Sequence, residues 1–129
     1  METSAVSDPP LAIGTAKEFV ETICKGILSE RGIPLSGSED IPKLVRMTRE
    51  AIGLSVPTKT ADTLHKTLSA LATLTQGIAE LRGQLGSGHG PHPKAPQAPP
   101  EVAWLEVRSA IALGVFLYET HRANASVVP

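Results

Sequence analysis

The sequence predicts an all-α protein built as a bundle of four main helices. Its 129 residues are enough for one domain with a hydrophobic core. Aromatic residues make up only 3% of the chain, which disfavours a β-sandwich or barrel, and apolar residues recur at steps of three and four. Glycine and proline concentrate between Gly83 and Pro100, which predicts one long Gly/Pro-rich loop between the third helix and the fourth.

The first predicted helix begins at Pro9, behind a cap at Ser7 or Asp8, and runs to about Glu30. Proline is well tolerated in the first helical turn because its missing N–H would have no partner there. A glycine and a proline shortly after Glu30 end the helix. Cys24 lies on the apolar stripe, so we interpret it as a small core residue rather than a reactive thiol.

The second predicted helix is capped by Asp40 and ends at Gly53. It is short and amphipathic, and its outer face carries Lys43, Arg46 and Arg49 at every third position. Such a stripe can face phosphate groups, but a solvated surface is the more common role.

The third predicted helix begins between Thr58 and Thr60 and ends at Gly83. Arg82 falls in line with its apolar seam, and a charged residue there either reaches solvent from the helix end or meets a partner anion. The following loop, 84–100, is longer than usual connections in a compact domain, which is typical of a functional or mobile segment. The seam consists of Leu64, Leu68, Leu71, Thr75 and Ile78.

The fourth predicted helix starts at Pro99 and Pro100 and continues to about His121. Its most apolar window, 109–118, is about half the length that crosses a bilayer, so no membrane partner is expected. Two apolar stripes indicate either a central helix or a subunit interface. One stripe contains Val102, Leu105, Ala112, Leu113, Phe116 and Leu117, and the other contains Trp104, Val107, Ile111, Val115 and Tyr118.

Charge and cysteine usage limit the classes of function. The formal net charge is -1, so the chain has no global basic field and any nucleic-acid binding must be local. The single cysteine cannot form an intrachain disulfide, and the first residues do not resemble a signal peptide, which predicts a cytoplasmic protein. We expect an N-terminal leader at 1–8, a helical domain at 9–122 and a C-terminal tail at 123–129.

The segment from Leu81 to Pro100 has the composition of a phosphate-binding loop, because it combines basic residues with glycines and contains no acidic residue. Its glycine spacing and the helix before it exclude a Walker loop and a Rossmann turn, and we predict no cofactor. Glycines in such a loop let backbone N–H groups approach an anion. The candidate anion-binding residues are Gly86, Gly88, Gly90, His92 and Lys94, beside the candidate catalytic residues Arg82 and His89.

Arg82 and His89 suit phosphodiester cleavage without a metal. An imidazole can take a proton from a ribose 2′-hydroxyl or give one to the leaving oxygen, while an arginine holds the phosphoryl oxygens. In the structural alternative, Arg82 caps its own helix end and His89 hydrogen-bonds within the loop. A metal site of His89 and His92, joined by His65 or His121, is disfavoured because the loop has no Asp, Glu or Cys. We therefore predict no metal.

Four blocks of the sequence resemble the C-terminal domain of bacterial abortive-infection (phage-defence) proteins, across about Pro9 to His121. The blocks are AIGTAKEFVETICKGIL, IPKLVRMTREAIGL, LSALATLTQGIAELRGQLGSGHG and RSAIALGVFLYETH. That family is similar to the wider HEPN group, which implies a HEPN-like helical bundle that pairs as a homodimer and, in many members, a metal-independent ribonuclease. The group's arginine and histidine correspond to Arg82 and His89, whereas the polar residue after the arginine, commonly asparagine, is Gly83 here.

The residues and the resemblance together lead to three functional hypotheses. The first is a phage-defence domain that cleaves or binds RNA, with His89 as acid or base and Arg82 on the phosphate, in a cleft shared by two copies. The second is a non-catalytic dimerisation or regulatory module of a defence protein, which Gly83 and the near-neutral charge favour. The third is a small-nucleotide binder. Because the family usually carries another domain before this one, a separate N-terminal effector or sensor domain is an expected partner.

Overall fold

The computed structural model describes residues 7–54, 56–85 and 99–125, which form a bundle of four helices without a strand in those ranges. The all-α prediction is confirmed. Every pair of helices is in contact, and the most extensive packing joins the first helix to the last. The helices are α1 (Pro9–Glu30), α2 (Ile41–Ile52), α3 (Thr58–Leu85) and α4 (Pro100–Ala125).

The predicted helix starts are confirmed by their caps. The Asp8 carboxylate accepts a hydrogen bond from the Leu11 backbone N–H at 3.2 Å, and Asp40 accepts one from the Lys43 backbone N–H at 2.9 Å. Each bond satisfies one of the N–H groups that a helix start leaves without a partner. α2 ends at Gly53, as predicted, where a φ of +68° suits glycine.

Two predicted helix ends differ from the structure. α3 continues past Gly83 to Leu85, because a single helical glycine costs only about 1 kcal/mol and does not by itself end a helix. α4 continues past His121 to Ala125, into the expected tail. A tertiary contact accounts for this longer end, since the Asn124 side-chain amide donates to the Ile52 carbonyl and, at 3.1 Å, to the Gly53 carbonyl.

The interface between α1 and α4 depends on a glycine. A Cβ added at Gly114 would lie 2.6 Å from Cε1 of Phe19 and 3.0 Å from Cδ1 of Ile23. A side chain at this position would therefore displace the Phe19 ring, so glycine lets α4 pack directly against these α1 side chains. Cys24 lies fully buried on α1, as predicted, and burial raises its thiol pKa to about 11.

The two apolar stripes expected on α4 correspond only partly to its buried face. The helix packs against all three others, most extensively against α1, yet one side remains exposed. Leu105, Val115 and Tyr118 are 49%, 39% and 47% exposed, although the sequence groups Leu105 with buried residues. The buried face lies between the stripes and contains Ala103, Glu106, Val107, Ala110, Leu113 and Leu117.

The seam predicted on α3 faces the core. Leu68, Thr75 and Ile78 are buried, and the Thr75 hydroxyl donates to the Leu71 carbonyl at 2.9 Å, so the buried polar group is satisfied. Within the described residues, no helix combines the length and the apolar character that a membrane span requires.

Candidate functional site

The candidate catalytic pair lies at the end of α3 and just beyond it. Arg82 belongs to the last turn of α3, whereas His89 lies outside the described residues. Arg82 follows the buried Ile78 by four positions, so its backbone continues the core-facing seam by one turn. Gly86, Gly88, Gly90, His92 and Lys94 also lie outside the described residues, and their anion-binding role stays a prediction.

A basic pocket lies between α2 and α3, at the basic stripe of α2 whose spacing is more typical of a solvated surface. Its volume is about 380 Å³. Lys43 and Arg46 are exposed, as that interpretation expects, but Arg49 is only partly exposed. The stripe therefore forms one wall of a concavity. The lining consists of Asp40, Pro42, Lys43, Arg46 and Arg49 from the start and body of α2, with Ser69 and Thr73 from α3.

Arg49 is fixed in place by the facing helix. Its Nη1 donates to the His65 carbonyl at 2.7 Å and to the Ser69 hydroxyl at 2.6 Å. Its Nε is buried and has no hydrogen-bond partner within the described ranges. The guanidinium thus bridges α2 and α3 and keeps one donor unsatisfied.

The cations of the basic pocket are not neutralised by carboxylates of the described chain. The ion pairs within the described ranges join Lys17 and Lys25 to Glu21, and His121 to Glu30. None of them involves the three basic side chains that line the pocket. Asp40 is the acidic residue of the lining, and its carboxylate caps α2.

A polar cluster joins the ends of three helices. Nε2 of His121 lies 2.6 Å from the Glu30 carboxylate, and Nδ1 accepts a hydrogen bond from Arg31 Nε at 3.0 Å. Arg31 also donates from Nη1 to the Ala51 carbonyl at 3.0 Å. Because Arg31 Nε can only donate, Nδ1 is the acceptor, and the tautomer that fits both contacts carries its hydrogen on Nε2 and donates to Glu30.

Arg31 and His121 have different roles in this polar cluster. Arg31 supplies the positive charge to the helix ends, since Nη2 donates to the His121 carbonyl at 3.4 Å. His121 instead acts as a buried acceptor and donor. Residues so distant in sequence leave no local signal that could have revealed the cluster.

Glu106 is the second polar group that sequence reasoning missed. It is 0% exposed, and neither carboxylate oxygen has a hydrogen-bond partner among the described residues. Burial raises its pKa to about 8, while the charge of Lys17 lowers it. An acidic residue at a helical position between two apolar stripes is the sequence signal that could have identified Glu106 as buried.

Within the described ranges, no three His, Cys, Asp or Glu side chains lie close enough to hold a metal ion. His65 and His121 belong to different contacts: the His65 carbonyl accepts from Arg49, and the His121 ring pairs with Glu30. Their suggested partners His89 and His92 lie outside the described residues.

Comparison with known protein families yields a match over most of the chain. The family model Abi_C, described as a HEPN-like domain, matches residues 1–121. The match includes Arg82, His89 and all four helices up to the last turn of α4. No curated protein and no solved structure matches the chain.

Proposed function

Because the chain belongs to the Abi_C family of HEPN-like domains, we propose that it is the RNA-processing module of a phage-defence system and cleaves RNA without a metal. Arg82 and His89 carry the reaction in this proposal. The observation that supports it best is the place of Arg82, which continues the core-facing seam of α3 and is followed by an acid-free, glycine-rich segment containing His89.

The proposed reaction is a transesterification within the RNA chain. The His89 imidazole takes the proton of a ribose 2′-hydroxyl, and the freed oxygen attacks the adjacent phosphorus. A P–O5′ bond breaks, which leaves a 2′,3′-cyclic phosphate and a 5′-hydroxyl once the leaving oxygen gains a proton. Arg82 stabilises the negative charge that grows on the phosphoryl oxygens.

A second copy of the chain completes the proposed site. Two copies that share a cleft bring two imidazoles together, so one can act as base while the other protonates the 5′ oxygen. The exposed side of α4 supports this pairing, because Leu105, Val115 and Tyr118 are each more than one-third exposed on one helix. Sedimentation at high protein concentration tests it, and a clean monomer contradicts the shared cleft.

A non-catalytic dimerisation module is the second candidate function. Gly83 favours it, because the residue after the arginine has no polar side chain to contribute to a reaction. The exposed apolar side of α4 is compatible with either function. The two proposals differ in whether RNA is cut, and a cleavage assay therefore separates them.

The test incubates the full chain with labelled single-stranded RNA in excess EDTA. We expect cleavage by the wild type and loss of cleavage in His89→Ala and Arg82→Ala. Lys25→Gln is the matched control, since it changes an exposed charge on α1. Circular dichroism confirms that each variant is folded. Absence of cleavage by the wild type under all conditions contradicts the proposal and favours the dimerisation module.

A further inference from the structure

We propose that the basic pocket between α2 and α3 binds a backbone phosphate of RNA, separately from the site of cleavage. The pocket has one wall from each helix and a volume of about 380 Å³. Its ligand is identified as RNA on the basis of the proposed function, whereas the preference for a phosphate group follows from the pocket itself.

The lining of the pocket matches the chemistry of a phosphate monoanion. Lys43, Arg46 and Arg49 supply positive charge, and Ser69 and Thr73 supply hydroxyl groups. Arginine forms directional hydrogen bonds to phosphate oxygens, whereas lysine acts as a mobile point charge. The Asp40 carboxylate opposes an anion, but three cations outnumber it in the lining, and it is engaged by the Lys43 backbone N–H at 2.9 Å.

Arg49 supplies a second, independent observation. Its guanidinium is held by the His65 carbonyl and the Ser69 hydroxyl, so this part of the pocket is already ordered. Its Nε–H is buried and lacks an acceptor among the described residues. A buried donor without a partner is unfavourable, so the described residues leave this guanidinium incompletely satisfied.

The pocket and Arg82 contact different phosphates in this proposal. Arg82 follows Thr73 by nine residues, which corresponds to about 13 Å along a helix axis and to the opposite side of the helix. The pocket is therefore an anchor that holds the RNA chain, and it adds affinity without taking part in bond cleavage. A local anchor also suits a chain whose formal net charge is -1.

Binding of labelled single-stranded RNA, followed by fluorescence anisotropy over a series of salt concentrations, tests the anchor. All measurements use the full chain carrying His89→Ala, so that the RNA stays intact. Lys43→Gln and Arg46→Gln each remove one exposed cation of the pocket, and Lys25→Gln removes an exposed cation on α1. Arg49 is left unchanged because its substitution would also disturb the packing of α2 against α3.

We expect each pocket variant to bind RNA about threefold to fivefold more weakly at low salt, an effect typical of one exposed charge pair. The slope of log affinity against log salt is expected to fall by about 0.7 for each lost phosphate contact. The Lys25→Gln control keeps the affinity and slope of its parent. If Lys43→Gln and Arg46→Gln behave like Lys25→Gln, the anchor proposal is wrong.

A second arm separates failure of the anchor from failure of the proposed function. Thermal unfolding is followed with inorganic phosphate and with sodium chloride at equal ionic strength. If the chain binds no RNA, the proposed function fails. In that case the pocket is still a phosphate site if phosphate raises Tm in the wild type but not in the Lys43→Gln, Arg46→Gln double variant. An equal response of the double variant overturns the pocket as well.

Discussion

Replacing Glu106 with glutamine removes a titrating group from the interior of the bundle while keeping the size of the side chain. The wild-type carboxyl is fully buried, and no residue in the described part of the chain forms a hydrogen bond with either of its oxygens. The amide is neutral at every pH, whereas the carboxyl must hold a proton to remain neutral in the folded protein. The variant therefore isolates the cost of keeping this acid protonated.

The magnitude follows from the pKa of Glu106, which burial raises from 4.5 to about 8. The folded chain keeps a proton that the unfolded chain releases, so the free energy of unfolding falls as pH rises through this range. The loss is about 1.4 kcal/mol for each pH unit. By pH 7 it reaches about 3 kcal/mol, and above the folded-state pKa it levels off at about 5 kcal/mol.

Urea unfolding at pH 5, 6, 7 and 8 measures the effect. We expect Glu106→Gln to have nearly the stability of the wild type at pH 5 and to exceed it by about 3 kcal/mol at pH 7. Glu50→Gln serves as control, because it removes an exposed carboxylate from α2. Parallel curves of unfolding free energy against pH for the wild type and Glu106→Gln would refute the assignment of a buried, protonated acid.

Further substitutions test the packing of the bundle. Gly114→Ala is expected to destabilise the protein by about 1–3 kcal/mol, because the new methyl group meets Phe19. Gly26→Ala adds a methyl group in open space on α1 and is expected to stabilise the protein by about 0.5–1 kcal/mol. Urea unfolding measures both, and a stabilising Gly114→Ala contradicts the close approach. Arg31→Ala is expected to lower the free energy of unfolding by about 2–4 kcal/mol, because it leaves the Ala51 carbonyl and His121 without their donor. A change in Tm no larger than that caused by Lys25→Ala, at an exposed position, would contradict this prediction.

The parts of the fold that could be predicted from sequence are those set by neighbouring residues. The caps at Asp8 and Asp40 and the glycine end at Gly53 depend on side chains within a few positions, so local patterns suffice. The end of α4 at Ala125 depends on Asn124 reaching residues far earlier in the chain. No local pattern carries that information.

The candidate site also combines features that the local sequence predicts with features that only the folded structure reveals. Arg82 and His89 are predicted from composition and family resemblance, because they lie close together in one unusual segment, and their role stays a prediction. The basic stripe of α2 is also visible in sequence, but its role as the wall of a pocket requires α3, which contributes Ser69. A buried polar group such as Glu106 depends on which helix faces which, and periodicity alone does not determine this.

The most direct measurement of the proposed reaction compares two RNA oligomers of one sequence, one unmodified and one methylated at every 2′ oxygen, incubated with the chain in EDTA. The proposed mechanism predicts that only the unmodified RNA is cut, and that its upstream fragment ends in a 2′,3′-cyclic phosphate. Equal cutting of the methylated RNA, or fragments that end in a 5′-phosphate, contradicts attack by the 2′ oxygen and the role assigned to His89.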